Sequence, residues 1–398
     1  MPRSADHRVC PFCGHDIWLA QCDIVATNIE QTDDPFHKVV EMREELPPSG
    51  AQGLGYRGQF PIVWSPPREE ETPGRTGWLA AFTNSAKSGL MALNDLPAED
   101  LPRRACSVCL SPLPVDMDTR DAHILAVVGI NGAGKSHYLA SALTEATRKR
   151  GLAVAGCTEF APDDDTAPRL HADYYTRLFR VGELLDSTQV DQQVGQKPLI
   201  FRVTFEGAKP FLLISHDISG EVLSDHRQRA SVTPFLRRAS AVVFVVDPLE
   251  FNEVRRKVAP DELPPARSIH QTDLLSACLR ELQYMPGGRD VPVAVTVSKS
   301  DILDRVLGED HRFARDAPRE GWVEDVRETS VEVRELLVRL GESDLVEVAE
   351  AHSQVTFHAV SALGSAPAGR MVLNPVPRRC MDPLGTVLVR LMHALSRS

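Results

Sequence analysis

The chain is 398 residues long, with 42% hydrophobic and 25% charged residues, 6% aromatics and 29 prolines. That composition leaves room for two or three soluble domains and excludes coiled coil, collagen and wholesale disorder. The net charge of −11 divides into −5 over residues 1–115 (10 basic against 15 acidic) and −6 beyond, so neither part offers the basic excess of a nucleic-acid-binding face. Nucleic acid is not expected as a main partner.

The opening MPRSADHRVCPFCGHD lacks an apolar h-region, and the longest apolar run, residues 241–246, is one strand long. Neither a signal peptide nor a membrane span of about 20 residues is expected, and the chain reads as cytoplasmic. Eight cysteines are present, four of them in two Cys-x-x-Cys pairs, Cys10/Cys13 and Cys106/Cys109. In a reducing compartment such pairs point to metal or redox chemistry rather than to disulfides. Two matching pairs favour a zinc site of four thiolates, a closed tetrahedral staple for a module too small to build a full core. The usual separation between such knuckles is about 15–20 residues, whereas 92 lie between Cys13 and Cys106. The metal would therefore close a long insertion. Cys22, His7 or His15 are alternative ligands, and unliganded or redox cysteines are the rival readings. Cys22, Cys157, Cys278 and Cys380 stand alone and are expected to be buried apolar residues.

Residues 41–75 hold six prolines and five glycines, with the acidic run Glu69–Glu70–Glu71, and mark an irregular insertion extending over about 41–100. A helical pattern follows at 78–93. The proline-bearing Ser111–Pro112–Leu113–Pro114 closes the region, so residues 1–115 are expected to form a zinc-ribbon module and 116–398 a second domain. Past this boundary apolar strands alternate with amphipathic helices. Strands are expected at 123–128, 199–205, 211–217, 241–246, 291–297 and 356–360, the second and third joined by the short turn 206–210. Helices are expected at 136–150, 268–282, 322–340 and 384–395. This alternation predicts an α/β fold with a mostly parallel sheet and helices on both faces.

Residues Gly129, Ile130, Asn131, Gly132, Ala133, Gly134, Lys135 and Ser136 fit G-x-x-x-x-G-K-[ST], after an apolar strand and at the start of a helix that continues through His137. The glycines let backbone N–H groups face phosphates, Lys135 supplies a cation to the β/γ oxygens, and the Ser136 hydroxyl can ligate Mg²⁺. The helix N-terminus adds to the same anion site. Downstream, His216–Asp217–Ile218–Ser219–Gly220–Glu221 carries Asp-x-x-Gly at a strand end, where Asp217 can hold the Mg²⁺ shell and the Gly220 N–H can approach the γ-phosphate. The strand at 291–297 ends in Ser298–Lys299–Ser300–Asp301, a variant of Asn-Lys-x-Asp. The strand at 356–360 ends in Ser361–Ala362–Leu363–Gly364. All of these lie at carboxyl ends of strands, where open α/β sheets bind ligands.

In this order the motifs resemble the GTPase branch of phosphate-loop proteins, the TRAFAC class of translation factors and Ras-like switches, over about residues 122–365. The Asp-x-x-Gly-Glu box, the strand Val242–Pro248 and the N-terminal cysteine-pair module further resemble the bacterial double-GTPase family, linked to prokaryotic conflict or signalling systems. The resemblance implies that Asp301 accepts hydrogen bonds from the guanine ring N–H and 2-amino group, that the Lys299 stem lies across the base, and that the Ala362 N–H meets the guanine oxygen. Ser298 takes the place of the usual asparagine. Asp217 and Gly220 match the γ-phosphate sensor, and Thr188 is the chosen switch threonine, with Thr166 and Thr176 as competitors. Glu221 stands where Ras-like proteins carry a water-orienting glutamine. No arginine finger is assignable in cis, since Arg227, Arg229, Arg237 and Arg238 read equally well as surface residues. His216 reads as a packed strand residue.

The expectation is a GTP/GDP-binding molecular switch with Mg²⁺ and Zn²⁺, hydrolysing GTP slowly unless a protein effector or activator assists. A non-hydrolysing guanine-nucleotide sensor or scaffold is the first alternative, and an ATP-dependent phosphate-loop NTPase the second.

Overall fold

The computed structural model describes residues 7–25, 62–64, 103–148, 151–185, 198–225, 227–264, 267, 269–308 and 310–396. The chain divides into two units, Met1–Arg120 and Asp121–Ser398. The first ends five residues past Val115 because the turn Val115–Asp118 packs with it: Met117 is fully buried and its carbonyl accepts from Arg8 Nε at 3.0 Å.

In the first unit, β1 (His7–Val9) pairs antiparallel with β2 (Asp16–Trp18). A second sheet has β3 (Asp23–Val25) between β4 (Ile62–Trp64) and β5 (Arg103–Ala105), both antiparallel to it. Strands of three residues bury little, and Val9, Ile17, Leu19, Val25, Leu113 and Met117 supply most of the apolar core. Such a core needs reinforcement. The helix expected at 78–93 and all of the 41–100 insertion except β4 lie outside the described residues.

The second unit is built on a seven-stranded sheet. Its strands are β6 (Asp121–Gly129), β7 (Cys157–Pro162), β8 (Leu199–Phe205), β9 (Phe211–Ser219), β10 (Ala239–Val246), β11 (Val293–Val297) and β12 (Val355–Ala359). Their order across the sheet is β12-β11-β10-β6-β9-β8-β7. The first five in that order are parallel, while β8 runs antiparallel to both β9 and β7. The expected turn at 206–210 joins β8 and β9 into a hairpin, with Leu199 opposite Ser215 and Val203 opposite Phe211. The central strands are valine-rich and buried along almost their whole length, as parallel strands covered on both faces must be.

The helices of this unit include α1 (Lys135–Arg148), α2 (Gly220–Ser224), α3 (Gln271–Gln283), α4 (Ser300–Leu307), α5 (Trp322–Arg339), α6 (Ser343–Glu350) and α7 (Met381–Leu395). α7 packs on β10 and β11, α3 on β6 and β10, and α5 on β12. A buried polar knot ties α5 to α7: Trp322 Nε1 donates to Asp382 Oδ1 at 3.0 Å, and Arg379 Nε to Asp382 Oδ2 at 2.7 Å. Burial raises the Asp382 carboxyl pKa, opposed chiefly by the Arg379 charge. No helix among the described residues is long and apolar enough to cross a membrane.

Several described elements escaped the sequence patterns. β7 buries only Cys157 and ends in Pro162, as an edge strand can, so it shows no apolar alternation. A π-type helix at Leu170–Val181 buries only Leu178 and Leu170. The eight-residue helices α4 and α6 are too short to show a clear period.

Candidate functional site

Because β6, β9, β10, β11 and β12 run in one direction, the residues following them gather along a single edge of the sheet. β6 lies centrally, with β9 on one side and β10 on the other. Chain order reverses there, which is where open sheets hold ligands.

The loop after β6 is shaped by close contacts. Gly132 and Gly134 have φ of 72° and 90°, and a Cβ on Gly129 would stand 2.5 Å from the Val245 carbonyl oxygen. Lys135 is buried, and its Nζ donates back to the carbonyls of Gly129 (2.9 Å) and Ile130 (3.0 Å). Burial pushes its pKa down, while the carboxylates of Asp217 and Glu221 pull it up. The Ser136 hydroxyl donates to Asp217 Oδ2 at 2.9 Å, so the two expected magnesium ligands are already adjacent. His137 is pushed down to about 4, first by burial and then by the Lys299 charge, and its Nε2 accepts from the Leu185 N–H at 3.1 Å. That bond ties the chain just before residue 186 to α1.

From the end of β9, Ser219 caps α2 by accepting from the Glu221 N–H at 3.2 Å. Gly220 sits against the loop, where a Cβ would lie 3.2 Å from the Gly129 oxygen and 2.5 Å from Leu274. The Glu221 carboxylate turns onto the loop: Oε1 accepts from the Asn131 N–H at 2.9 Å and Oε2 from the Ser219 hydroxyl at 2.5 Å. A carboxylate therefore holds one of the N–H groups of the phosphate loop.

From β11, Ser298 reaches the loop region, with its Cβ 3.8 Å from where a Cβ on Gly134 would be. Its hydroxyl donates to the Val246 carbonyl at 3.1 Å, bracing β10 instead of the loop. Lys299, at φ 51°, extends Nζ to the Gly132 carbonyl (3.1 Å) and to Asp247 Oδ2 (2.8 Å). Asp301 opens α4, and its Oδ1 accepts from the Ser361 hydroxyl at 2.5 Å. The same Ser361 oxygen accepts from the Gly364 N–H at 2.8 Å. The Ala362 carbonyl is fixed by Ser141 Oγ of α1 at 2.9 Å, and Leu363 packs against Ala140, Leu178 and Leu185. The residues expected to read a base are thus joined to one another and to α1.

Thr188 lies outside the described residues. Of its competitors, Thr166 is buried and accepts from the Ile200 N–H at 2.9 Å, while Thr176 sits 3.5 Å from His171 Nδ1 on the exposed side of the π-type helix. His216 packs on Phe235 with ring centroids 3.9 Å apart. Arg237 pairs with Glu281 at 2.8 Å and lies over the Tyr284 ring.

Two residues of this edge were not singled out from the sequence. Asp247, with no exposure at all, follows β10 and caps the next turn through Leu249 N–H (3.1 Å). Its Oδ2 pairs with both Lys299 and Arg267 (3.1 Å). The rule that found Asp217, a carboxylate just past an apolar strand, would have found Asp247 too. Arg267 carries no such signal.

In the first unit, the sulfurs of Cys10, Cys13, Cys106 and Cys109 all lie within 4.8 Å of one another and are buried. Cys10 and Cys109 are 3.7 Å apart, and Cys13 and Cys106 3.8 Å. A zinc–sulfur bond of about 2.3 Å in a tetrahedron implies sulfur–sulfur edges of about 3.8 Å, against about 2 Å for a disulfide. The cluster is compatible with zinc. Both knuckles have the same backbone: Gly14 and Leu110 adopt φ of 70° and 60°, and their N–H groups return to the carbonyls of Cys10 and Cys106. Burial pushes the Cys10 thiol up, a cost that a cation would reverse. Cys22 lies outside the cluster and bonds the Trp18 carbonyl, His7 pairs with Asp16, and His15 Nδ1 meets the Cys13 carbonyl.

The Double-GTPase 2 family model matches residues 123–363, more than half of the chain. The chain belongs to the Double-GTPase 2 family. It is a GTP-binding phosphate-loop protein with a mostly parallel sheet, preceded by a four-cysteine cluster. A similar protein is the putative ESX-1 scaffolding and assembly protein SaeC of Mycolicibacterium smegmatis, 27% identical over 315 residues, which cover 70% of this chain and 77% of that one. Among solved structures, Sup35 complexed with GMPPNP aligns with 61% of this chain and 38% of its own, at 14% identity and a TM-score of 0.23.

Proposed function

We propose that this Double-GTPase 2 member is a magnesium-dependent GTPase switch working with a protein partner in the cytoplasm. The observation that carries this is the Ser136–Asp217 hydrogen bond of 2.9 Å beside the buried Lys135. It joins a hydroxyl and a carboxylate from two motifs 81 residues apart, the kind of pair that holds a phosphate-bound magnesium in phosphate-loop NTPases, and so supports this reading. Magnesium held by Ser136, Asp217 and the proposed switch residue Thr188 would neutralise charge between the β- and γ-phosphates. Lys135 would exchange its loop carbonyls for phosphate oxygens, and the Gly220 N–H would meet the γ-phosphate. Asp301, oriented by Ser361, offers the acceptors that guanine donors require. The four cysteines are proposed to bind one zinc, which braces the first unit. The name of the SaeC relative, a scaffolding and assembly protein, supports a protein partner as effector or activator.

A second reading, a guanine-nucleotide sensor or scaffold that does not hydrolyse GTP, is favoured by Glu221. Its carboxylate sits on the phosphate loop through Asn131, where it adds negative charge facing a phosphate. Multiple-turnover phosphate release separates the two: a switch turns over, if slowly, and a sensor does not. Base choice is tested with Asp301→Asn. Wild type is expected to prefer GTP over ATP by about 10⁴-fold, and the variant to lose GTP and gain xanthosine triphosphate. Equal binding of ATP and GTP by wild type, or no gain of the xanthine nucleotide, refutes a guanine pocket at Asp301.

A further inference from the structure

Arg267 lies far in sequence from every nucleotide motif, yet its guanidinium rests on the phosphate loop. A Cβ placed on Gly132 would stand 3.0 Å from Arg267 Nη2, so the guanidinium tip lies close against this loop residue. The same nitrogen pairs with the fully buried Asp247 Oδ2 at 3.1 Å, and Nε lies 3.6 Å from Glu250 Oε1. The other nitrogen, Nη1, is buried and has no hydrogen-bond partner among the described residues.

A buried donor left without an acceptor is costly, the more so when charged, and so calls for a partner that arrives later. Asp247 Oδ2 is shared by Lys299 at 2.8 Å and Arg267 Nη2 at 3.1 Å, so the nearest carboxylate is already committed and leaves Nη1 unserved. The Lys135 pKa is lowered first by burial, raised by Asp217 and Glu221, and lowered again by the Arg267 charge, which places the guanidinium within electrostatic reach of the phosphate-loop lysine.

We propose that Arg267 is a phosphate-binding residue of the nucleotide site, bracing Asp247 with Nη2 and donating Nη1 to a β- or γ-phosphate oxygen. The inference rests on the guanine-nucleotide function proposed above. It supplies from within the chain an arginine that the motifs alone do not reveal. A guanidinium suits the task because its rigid, planar fork presents Nη1 and Nη2 to two separate acceptors in a fixed geometry, whereas an ammonium offers all its donors from one nitrogen.

The test uses the full chain with Arg267→Ala and Arg267→Lys, measuring affinities for GTP, GDP and GMP by competition with a fluorescent GDP, and the melting temperature without ligand. A charge-assisted phosphate contact predicts that Arg267→Ala weakens GTP and GDP by roughly 10- to 100-fold and leaves GMP within about 3-fold. Arg267→Lys keeps a cation for Asp247, so it should melt like wild type and still lose about 10-fold on GTP. An equal loss for GMP, GDP and GTP would mean that Arg267 only braces Asp247, and overturns the proposal. Tight wild-type GTP binding retained by both variants also overturns it, for Arg267 alone. A wild-type chain that binds no guanine nucleotide overturns the proposed function and this inference with it.

Discussion

Asp247→Ala is expected to be one of the costlier single changes on the ligand edge of the sheet. The carboxylate has no solvent exposure and serves three donors: Lys299 Nζ at 2.8 Å, Arg267 Nη2 at 3.1 Å and the Leu249 N–H at 3.1 Å. Removing one partner of a fully buried ion pair costs about 3–5 kcal/mol. Lys299 and Arg267 keep 28% and 16% of their side-chain surface in water, so water recovers part of that loss. Losing the cap on the Pro248–Glu250 turn adds about 0.5–2 kcal/mol. The sum is about 2–4 kcal/mol, or a melting temperature lower by about 5–10 °C for a unit of this size. Asp247→Asn keeps an acceptor for the Leu249 N–H only by turning its NH2 toward Lys299 and Arg267 in place of Oδ2, so it should lose nearly as much. Calorimetry of the full chain, following the transition that GTP shifts, reads both variants. A melting temperature for Asp247→Ala within about 2 °C of wild type would refute the reasoning, for it would mean that the two cations find water as good a partner as the carboxylate.

Lys135→Ala should weaken GTP binding by at least about 2 kcal/mol, the worth of a charge-assisted phosphate contact, and calorimetric titration showing unchanged affinity would contradict the loop's role. Elemental analysis should find about one zinc per chain; Cys106→Ser with Cys109→Ser should release it while nucleotide binding persists, and full occupancy in that double mutant would refute the site. His137 is held down at about 4 and His358 at about 3, both first by burial. Between those values and the ordinary value of about 6.5 the unfolded chain binds protons that the folded chain refuses, so stability should fall as pH drops from 7 to 5, by about 2 kcal/mol for each such group. His137→Gln, whose side-chain oxygen can still accept from the Leu185 N–H, should remove about half of that decline in urea unfolding, leaving the His358 share, and an unchanged decline would count against the assignment.

The sheet of the second unit was legible in the sequence because its central strands are buried on both faces. Runs such as Ala241–Val246 and Val293–Val297 are rich in β-branched apolar residues, and are stopped by Asp247–Pro248 and by Ser298–Lys299. The phosphate loop was legible for a related reason: close approach of backbone to phosphate restricts residue type at fixed spacing, so chemistry writes itself into eight consecutive positions. The two cysteine pairs were legible as pairs, and their closure across 92 residues was only inferred until four sulfurs were seen within 4.8 Å. What sequence could not give is which distant side chains share an acceptor. Asp247, Lys299 and Arg267 meet because β10 and β11 are neighbours and Arg267 comes back to Gly132. Glu221 faces Asn131 because β9 lies beside β6. Local sequence sets the strand, the loop and the residue at its end. Only strand order and register decide which ends lie within hydrogen-bonding distance, and that depends on packing summed over the whole sheet.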